Sequence, residues 1–200
     1  MKKLMSFFLL FSIAIISLAQ SGYKIGDIAE DFKLKNIDGR MITLADIPDA
    51  KGYIVIFTCN TCPYAKAYED RMIKLHNKYA PLGYPIVAIN PNDLERAPED
   101  SYEHMQQRAK EKRFPFYYLY DETQVTAKKF GAARTPHTFV IQKEGGKNRV
   151  VYIGAIDDSA MNESDVGKTY LADAVDALIG GKKPDPNFTM AIGCTVKWKK

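Results

Sequence analysis

Five consecutive apolar residues, Tyr53-Ile54-Val55-Ile56-Phe57, stand where the chain changes period, since Tyr68, Met72, Leu75 and Tyr79 then recur at helical spacing. An uninterrupted apolar run rich in β-branched side chains predicts a strand buried on both faces. The following spacing, with Lys66, Glu69, Asp70 and Lys74 on the other side, predicts an amphipathic helix from about Cys62 to Tyr79. Pro63 suits its first turn, where a missing N–H costs nothing. Upstream, residues 31–34 and 41–43 flank the turn signal Asn36-Ile37-Asp38-Gly39 and predict a hairpin. Downstream, strands are expected at 85–89 and 117–120. Asp100-Ser101-Tyr102-Glu103 reads as a capping box for a helix carrying Tyr102, Met105 and Ala109 inward. Asp121-Glu122-Thr123-Gln124 starts a shorter helix that Gly131 ends, and residues 139–142 and 150–153 flank Glu144-Gly145-Gly146-Lys147 as a closing hairpin. Leu171, Ala174, Val175 and Leu178 define a last helix face, ended by Gly180-Gly181. Strands alternating with helices before a final hairpin predict an α/β fold, a mixed central sheet with helices on both faces.

The two ends follow other patterns. Phe188, Met190, Ile192, Cys194, Val196 and Trp198 share one parity, which predicts an extended strap over residues 181–200 with its apolar face inward. At the other end Lys2 and Lys3 precede an apolar stretch at 4–18 and the small-x-small site Ser17-Leu18-Ala19, the pattern of a signal peptide over residues 1–19. The stretch is shorter than the roughly 20 residues of a comfortable membrane span. Export to a periplasm or the extracellular space is expected, with no membrane partner after signal removal. Residues 20–180 then form one domain, a size that can bury a full core. Cleavage removes two lysines from a formal charge of +4, and lysines alternate with acids elsewhere, so nucleic acid is not an implied partner.

The chemistry starts where the apolar run ends, at Cys59-Asn60-Thr61-Cys62. Two intervening residues let the sulfurs reach the disulfide distance of about 2.05 Å, and a helix N-terminus stabilises a thiolate. A metal half-site is the alternative, but no second Cys pair and no His-x-x-x-His supplies further ligands, so neither metal nor cofactor is expected. The chain has three cysteines, and in an oxidising compartment an odd count leaves one unpaired, shared or reactive.

In the thioredoxin fold a Cys-x-x-Cys opens the helix behind a central strand and faces a cis-proline, and Thr135-Pro136 stands directly before the strand at 137–142. The chain further resembles the peroxiredoxin-like, thioredoxin-fold group of the redoxin superfamily, which contains the alkyl hydroperoxide reductases and thiol-specific antioxidants. The resemblance lies in Cys59-Asn60-Thr61-Cys62-Pro63-Tyr64, Tyr68-Glu69-Asp70-Arg71, Ala88-Ile89-Asn90-Pro91-Asn92-Asp93, Tyr120-Asp121-Glu122-Thr123-Gln124, Thr135-Pro136-His137, Gly154-Ala155-Ile156-Asp157-Asp158 and Gly193-Cys194-Thr195-Val196-Lys197-Trp198. It implies a thioredoxin-like fold with an N-terminal β-hairpin extension and a C-terminal strap. It also implies Cys59 as nucleophile and Cys62 as resolving thiol. Position agrees with that order, since Cys59 is expected exposed at the helix start with backbone N–H groups directed at it and Cys62 one turn inside and more shielded.

A cis Pro136 would present the backbone of Thr135 to an extended substrate. Thr61 stands where the group often has His, and His137 is a candidate for tuning the thiolate, although strand alternation turns it opposite to Pro136. Peroxiredoxins carry Thr three residues before the reactive Cys and Pro four before that, where Ile56 and Gly52 stand here, and no acid in residues 53–58 supplies a base for the resolving thiol. Cys194 is either a packing thiol or a third redox thiol. The leading expectation is an exported thiol-disulfide oxidoreductase acting on protein or small-molecule thiols and disulfides with an external electron donor. A thiol-dependent peroxidase with an antioxidant role is the alternative, and a Cu(I)-handling module using Cys59, Cys62 and His137 comes third.

Overall fold

The computed structural model describes residues 22–200, so the expected signal peptide at residues 1–19 lies outside the described residues. In chain order the strands are β1 (Leu34–Asn36), β2 (Met41–Ile42), β3 (Gly52–Phe57), β4 (Ile86–Asn90), β5 (Tyr117–Tyr120), β6 (Arg134–Thr135), β7 (His137–Glu144), β8 (Lys147–Gly154) and β9 (Cys194–Thr195). The α-helices are α1 (Pro63–Tyr79), α2 (Tyr102–Lys112), α3 (Val125–Phe130) and α4 (Tyr170–Ile179). Seven strands form one sheet in the order β2-β1-β5-β4-β3-β7-β8, while β6 and β9 pair separately.

The apolar run is the centre of this sheet. Every residue of β3 is buried, with β4 parallel on one side and β7 antiparallel on the other. Period-two alternation then divides its side chains between two cores. Tyr53, Val55 and Phe57 join Val87, Ile89, Leu119, Phe130 and Phe139 on one face, whereas Ile54 and Ile56 meet Tyr68 and Met72 of α1 and Leu171 and Val175 of α4 on the other. The mixed sheet covered on both faces is the expected architecture. Among the described residues no helix is long and apolar enough to cross a membrane.

Three local expectations need correction. The first hairpin strand begins at Leu34 rather than 31 because Asp31 is used elsewhere, accepting the N–H groups of Leu44 at 2.8 Å and Ala45 at 3.2 Å. Ser101 alone caps α2, its hydroxyl accepting from the His104 N–H at 3.3 Å, while Asp100 is fully buried and faces away from the helix. In the tail, Phe188, Met190 and Ile192 are exposed, since the opposite parity docks. Thr189 donates its N–H to Ile153 at 3.0 Å and its hydroxyl accepts the Ala155 N–H at 3.0 Å. Gly154 permits this approach, because a Cβ there would stand 2.1 Å from the Thr189 Oγ1. The apolar parity turns inward only from Cys194 onward, with Val196 buried and Trp198 packed on the first core.

Candidate active site

Chain departure from the sheet builds the site. The Thr58 N–H still reaches Ile89 O at 2.8 Å, residues 59–62 then leave the sheet, and Cys62 becomes the N-cap of α1 with Pro63 as its first residue. Cys62 is therefore not one turn inside the helix. Nor is Cys59 exposed: both residues retain only 4% and 3% of their surface. Local sequence cannot show the cause, which is cover from two distant segments.

The first cover is the loop around Asp100. Its Oδ1 accepts the N–H groups of Asn60 at 2.7 Å and Thr61 at 3.2 Å, and its Oδ2 accepts the Thr61 hydroxyl at 2.9 Å and the Asn92 side-chain amide at 2.7 Å. Tyr118 donates to Asn60 Oδ1 at 2.8 Å, and Asn90 donates to Asp100 O at 3.0 Å. Four donors occupy the carboxylate, so it holds the loop rather than serving as a free base. Thr61 acts on this support. Sequence reasoning missed Asp100, Asn60, Asn92 and Tyr118; the only signal for Asp100 was its place beside a cap, which pointed to the wrong partner.

The second cover is the tail. The Thr135-Pro136 bond is cis, as expected, and Thr135 is fully buried. Its hydroxyl lies 3.3 Å from Cys59 Sγ, and its carbonyl accepts from the Cys62 thiol at 3.1 Å. The strand edge expected to receive an extended substrate already carries β9: Thr135 pairs with Cys194 and Arg134 with Thr195, antiparallel. Gly193 allows that contact, since a Cβ there would fall 2.2 Å from Thr135 O. Cys194, half-buried, packs against the cluster of Cys59, Cys62 and Ala65. All three cysteines are free thiols.

Their surroundings separate the two buried thiols. The Cys59 thiol lowers Cys62 to about 5, assisted by the Cys194 thiol and the N–H groups of Ala65 and Cys194, against the opposing effect of burial. Cys59 is pushed up, chiefly by sharing its proton with Cys62, then by burial and by the Asp100 charge. The Thr135 carbonyl opposes a charge on Cys62, yet the N-terminal N–H groups of α1 and the tail outnumber it. The surroundings thus favour a thiolate at Cys62 over one at Cys59.

His137 stands elsewhere. Its Nδ1 accepts from the Ala133 N–H at 3.3 Å, its ring lies 4.6 Å from that of Phe139, and burial lowers it to about 4, so it is neutral near pH 7. Behind the thiols, Asp157 accepts from Tyr68 at 2.7 Å and Arg71 at 2.6 Å, anchoring α1 to the segment after β8. Among the described residues no group of three or more His, Cys, Asp or Glu side chains is arranged to hold a metal ion.

Comparison with known proteins places this arrangement. Residues 25–148 match the AhpC/TSA family. An uncharacterized conserved protein from Geobacillus kaustophilus superposes with a TM-score of 0.81 at 38% identity, over 88% of this chain and 93% of that one. A hypothetical protein from Sinorhizobium meliloti 1021 does so with a TM-score of 0.81 at 35% identity, over 90% and 97%. A peroxidoxin from Mycobacterium tuberculosis shares the fold, with a TM-score of 0.58 at 20% identity over 79% and 97%. No curated protein matches the chain.

Proposed function

Because the chain belongs to the AhpC/TSA family and is in general terms an oxidoreductase of thioredoxin-like fold, we propose that it exchanges disulfides through Cys59 and Cys62. The observation that carries this reading is the meeting of both thiols on Thr135, Cys59 at its hydroxyl and Cys62 at its carbonyl. The resemblance implies Cys59 as the nucleophile; the surroundings favour Cys62, because the thiolate and not the thiol attacks.

The Cys62 thiolate attacks one sulfur of a substrate disulfide R–S–S–R′. A Cys62–S–R bond forms, the S–S bond breaks, and R′S⁻ leaves and takes a proton. Once Cys62 is in a disulfide it no longer shares the Cys59 proton, and the largest influence holding Cys59 high disappears. Cys59 then ionises and attacks Cys62 Sγ, giving a Cys59–Cys62 disulfide and releasing RS⁻. The substrate is reduced to two thiols and the protein is oxidised; the reverse steps oxidise a substrate dithiol. Both cysteines are buried beside the β6–β9 ladder, so access of a substrate disulfide to Cys62 requires that ladder to open. The charge and apolar pattern of residues 1–19 supports an exported setting.

Insulin reduction with dithiothreitol as electron source tests the proposal. Wild type accelerates it and Cys62→Ser does not; equal rates for the two would refute it. Rapid peroxide consumption without insulin reduction would instead support the peroxidase reading.

A further inference from the structure

The exchange scheme uses two of three thiols and leaves unexplained why a two-residue strand carries Cys194 onto Thr135. Thr135 is the common point of the cluster. Its hydroxyl meets Cys59, its carbonyl meets Cys62, and its cross-strand partner is Cys194, which packs against the cluster of Cys59, Cys62 and Ala65. A packing role alone would suit a fully buried residue better than one at the half-buried edge of the tail. The β6–β9 pairing sets Cys194 opposite the residue whose carbonyl the Cys62 thiol meets.

We propose that Cys194 is a second disulfide partner for Cys62, so that the oxidised protein interconverts between a Cys59–Cys62 and a Cys62–Cys194 disulfide, the latter carrying oxidation from the interior to the surface. This rests on the Cys59–Cys62 exchange reading. The Cys194 thiolate attacks Cys62 Sγ; the Cys62–Cys194 bond forms, the Cys59–Cys62 bond breaks, and the electron pair leaves on Cys59, which takes the proton that Cys194 gave up. No net oxidation occurs in this step.

Its consequence is access. Cys59 and Cys62 are at most 4% exposed, so a protein dithiol meets their disulfide less readily than it meets Cys194 at the edge. An external dithiol attacks Cys194 Sγ, forms a mixed disulfide there and expels Cys62 as a thiolate. The low proton affinity of Cys62 makes it a good leaving group. The second thiol of the donor then closes its own disulfide and frees the Cys194 thiolate, leaving the protein reduced and the donor oxidised by two electrons.

The test is disulfide mapping after oxidation of the reduced protein by oxidised glutathione, acid quench, alkylation and peptide mass spectrometry. Cys59→Ser is expected to yield an intramolecular Cys62–Cys194 disulfide as its main product, and wild type a mixture of both disulfides. In Cys194→Ser only Cys59–Cys62 forms, and its reduction by a thioredoxin-type protein dithiol slows about tenfold, while reduction by dithiothreitol, a small probe, slows less. A folded Cys59→Ser protein that accumulates only glutathione adducts would overturn the proposal. So would equal reduction rates for wild type and Cys194→Ser by the protein dithiol. The arms separate the two readings: Cys59–Cys62 formation in Cys194→Ser with no Cys62–Cys194 in Cys59→Ser sinks the relay and keeps the exchange pair. Failure of Cys194→Ser to form Cys59–Cys62 sinks the exchange pair itself. Gly193→Ala gives a second handle that leaves all thiols in place, and is expected to lower the Cys62–Cys194 share by displacing β9 from Thr135.

Discussion

Two arms bring a sulfur to Cys62, and they are built differently. The loop that carries Cys59 is tied by two backbone N–H groups and the Thr61 hydroxyl to the carboxylate of Asp100, which is wholly buried and also holds Asn92. The tail that carries Cys194 lies on a two-residue ladder, with Arg134 donating to Gly193 O at 3.1 Å from an exposed position and with Thr195 exposed. Charge-assisted hydrogen bonds in a dry interior are short, directional and costly to break, whereas a short ladder at the surface opens locally at little cost. The difference teaches that proximity to a reactive thiol can be supplied in two grades. On the proposed exchange, the fixed arm suits Cys59 to internal resolution and the loose arm suits Cys194 to meeting another molecule.

The largest effect should come from the sulfur both arms share. Cys62→Ser lowers insulin reduction by about a thousandfold or more, because neither arm then has a partner; retention of a tenth of the activity would break the comparison at its centre. Next in size is the pH dependence of alkylation. With Cys62 near 5 and an ordinary thiol near 8.5, iodoacetamide labelling of Cys62 should keep its full rate down to about pH 6 and fall through about 5, whereas an unperturbed cysteine loses rate below about 8.5. The same depression has a sign in stability. The folded state holds Cys62 ionised between these values while the unfolded state holds it protonated, so this contribution is fully present above about pH 8.5 and is lost as pH falls through 5. Urea unfolding of the reduced protein across that window checks it, and a Cys62→Ser protein should lack that component.

Asp100→Ala tests the rigid arm. Four donors lose their acceptor in a buried site, which costs about 3 kcal/mol in urea unfolding and shifts the oxidised mixture from Cys59–Cys62 toward Cys62–Cys194. An unchanged mixture would mean that the carboxylate does not fix Cys59. Gly193→Ala tests the loose arm with a smaller cost, about 1 to 2 kcal/mol, since the tail can shift to relieve a Cβ otherwise 2.2 Å from Thr135 O. A loss as large as that of Asp100→Ala would contradict the contrast in rigidity.

The unequal arms also explain which parts of the site could be read in advance. The apolar run, the helix behind it and Thr135-Pro136 are legible because each is a local pattern with a strong physical signature, a buried period or a motif. Asp100 is misread because an acid beside Ser101 satisfies a local capping rule, while its actual donors lie 8, 39 and 40 residues away and no periodicity reports them. The tail is half legible. Its alternation correctly turns Cys194 and Val196 toward the protein, but alternation cannot say that Thr189 rather than its apolar neighbours docks over Gly154. Burial of Cys59 fails for the same reason as Asp100, since its cover comes from segments that only the fold brings near. The electrostatic order of the two thiols follows chiefly from their contact with each other, which the motif alone does not orient.

The placement of the attacking charge on Cys62 is tested most directly by brief alkylation of the reduced wild-type protein, its three thiols intact, with limiting iodoacetamide at pH 6, followed by peptide mass spectrometry. The account predicts an adduct on Cys62 forming at least about tenfold faster than the adduct on Cys59 in the same molecules. A faster adduct on Cys59 would contradict it and restore Cys59 as the nucleophile.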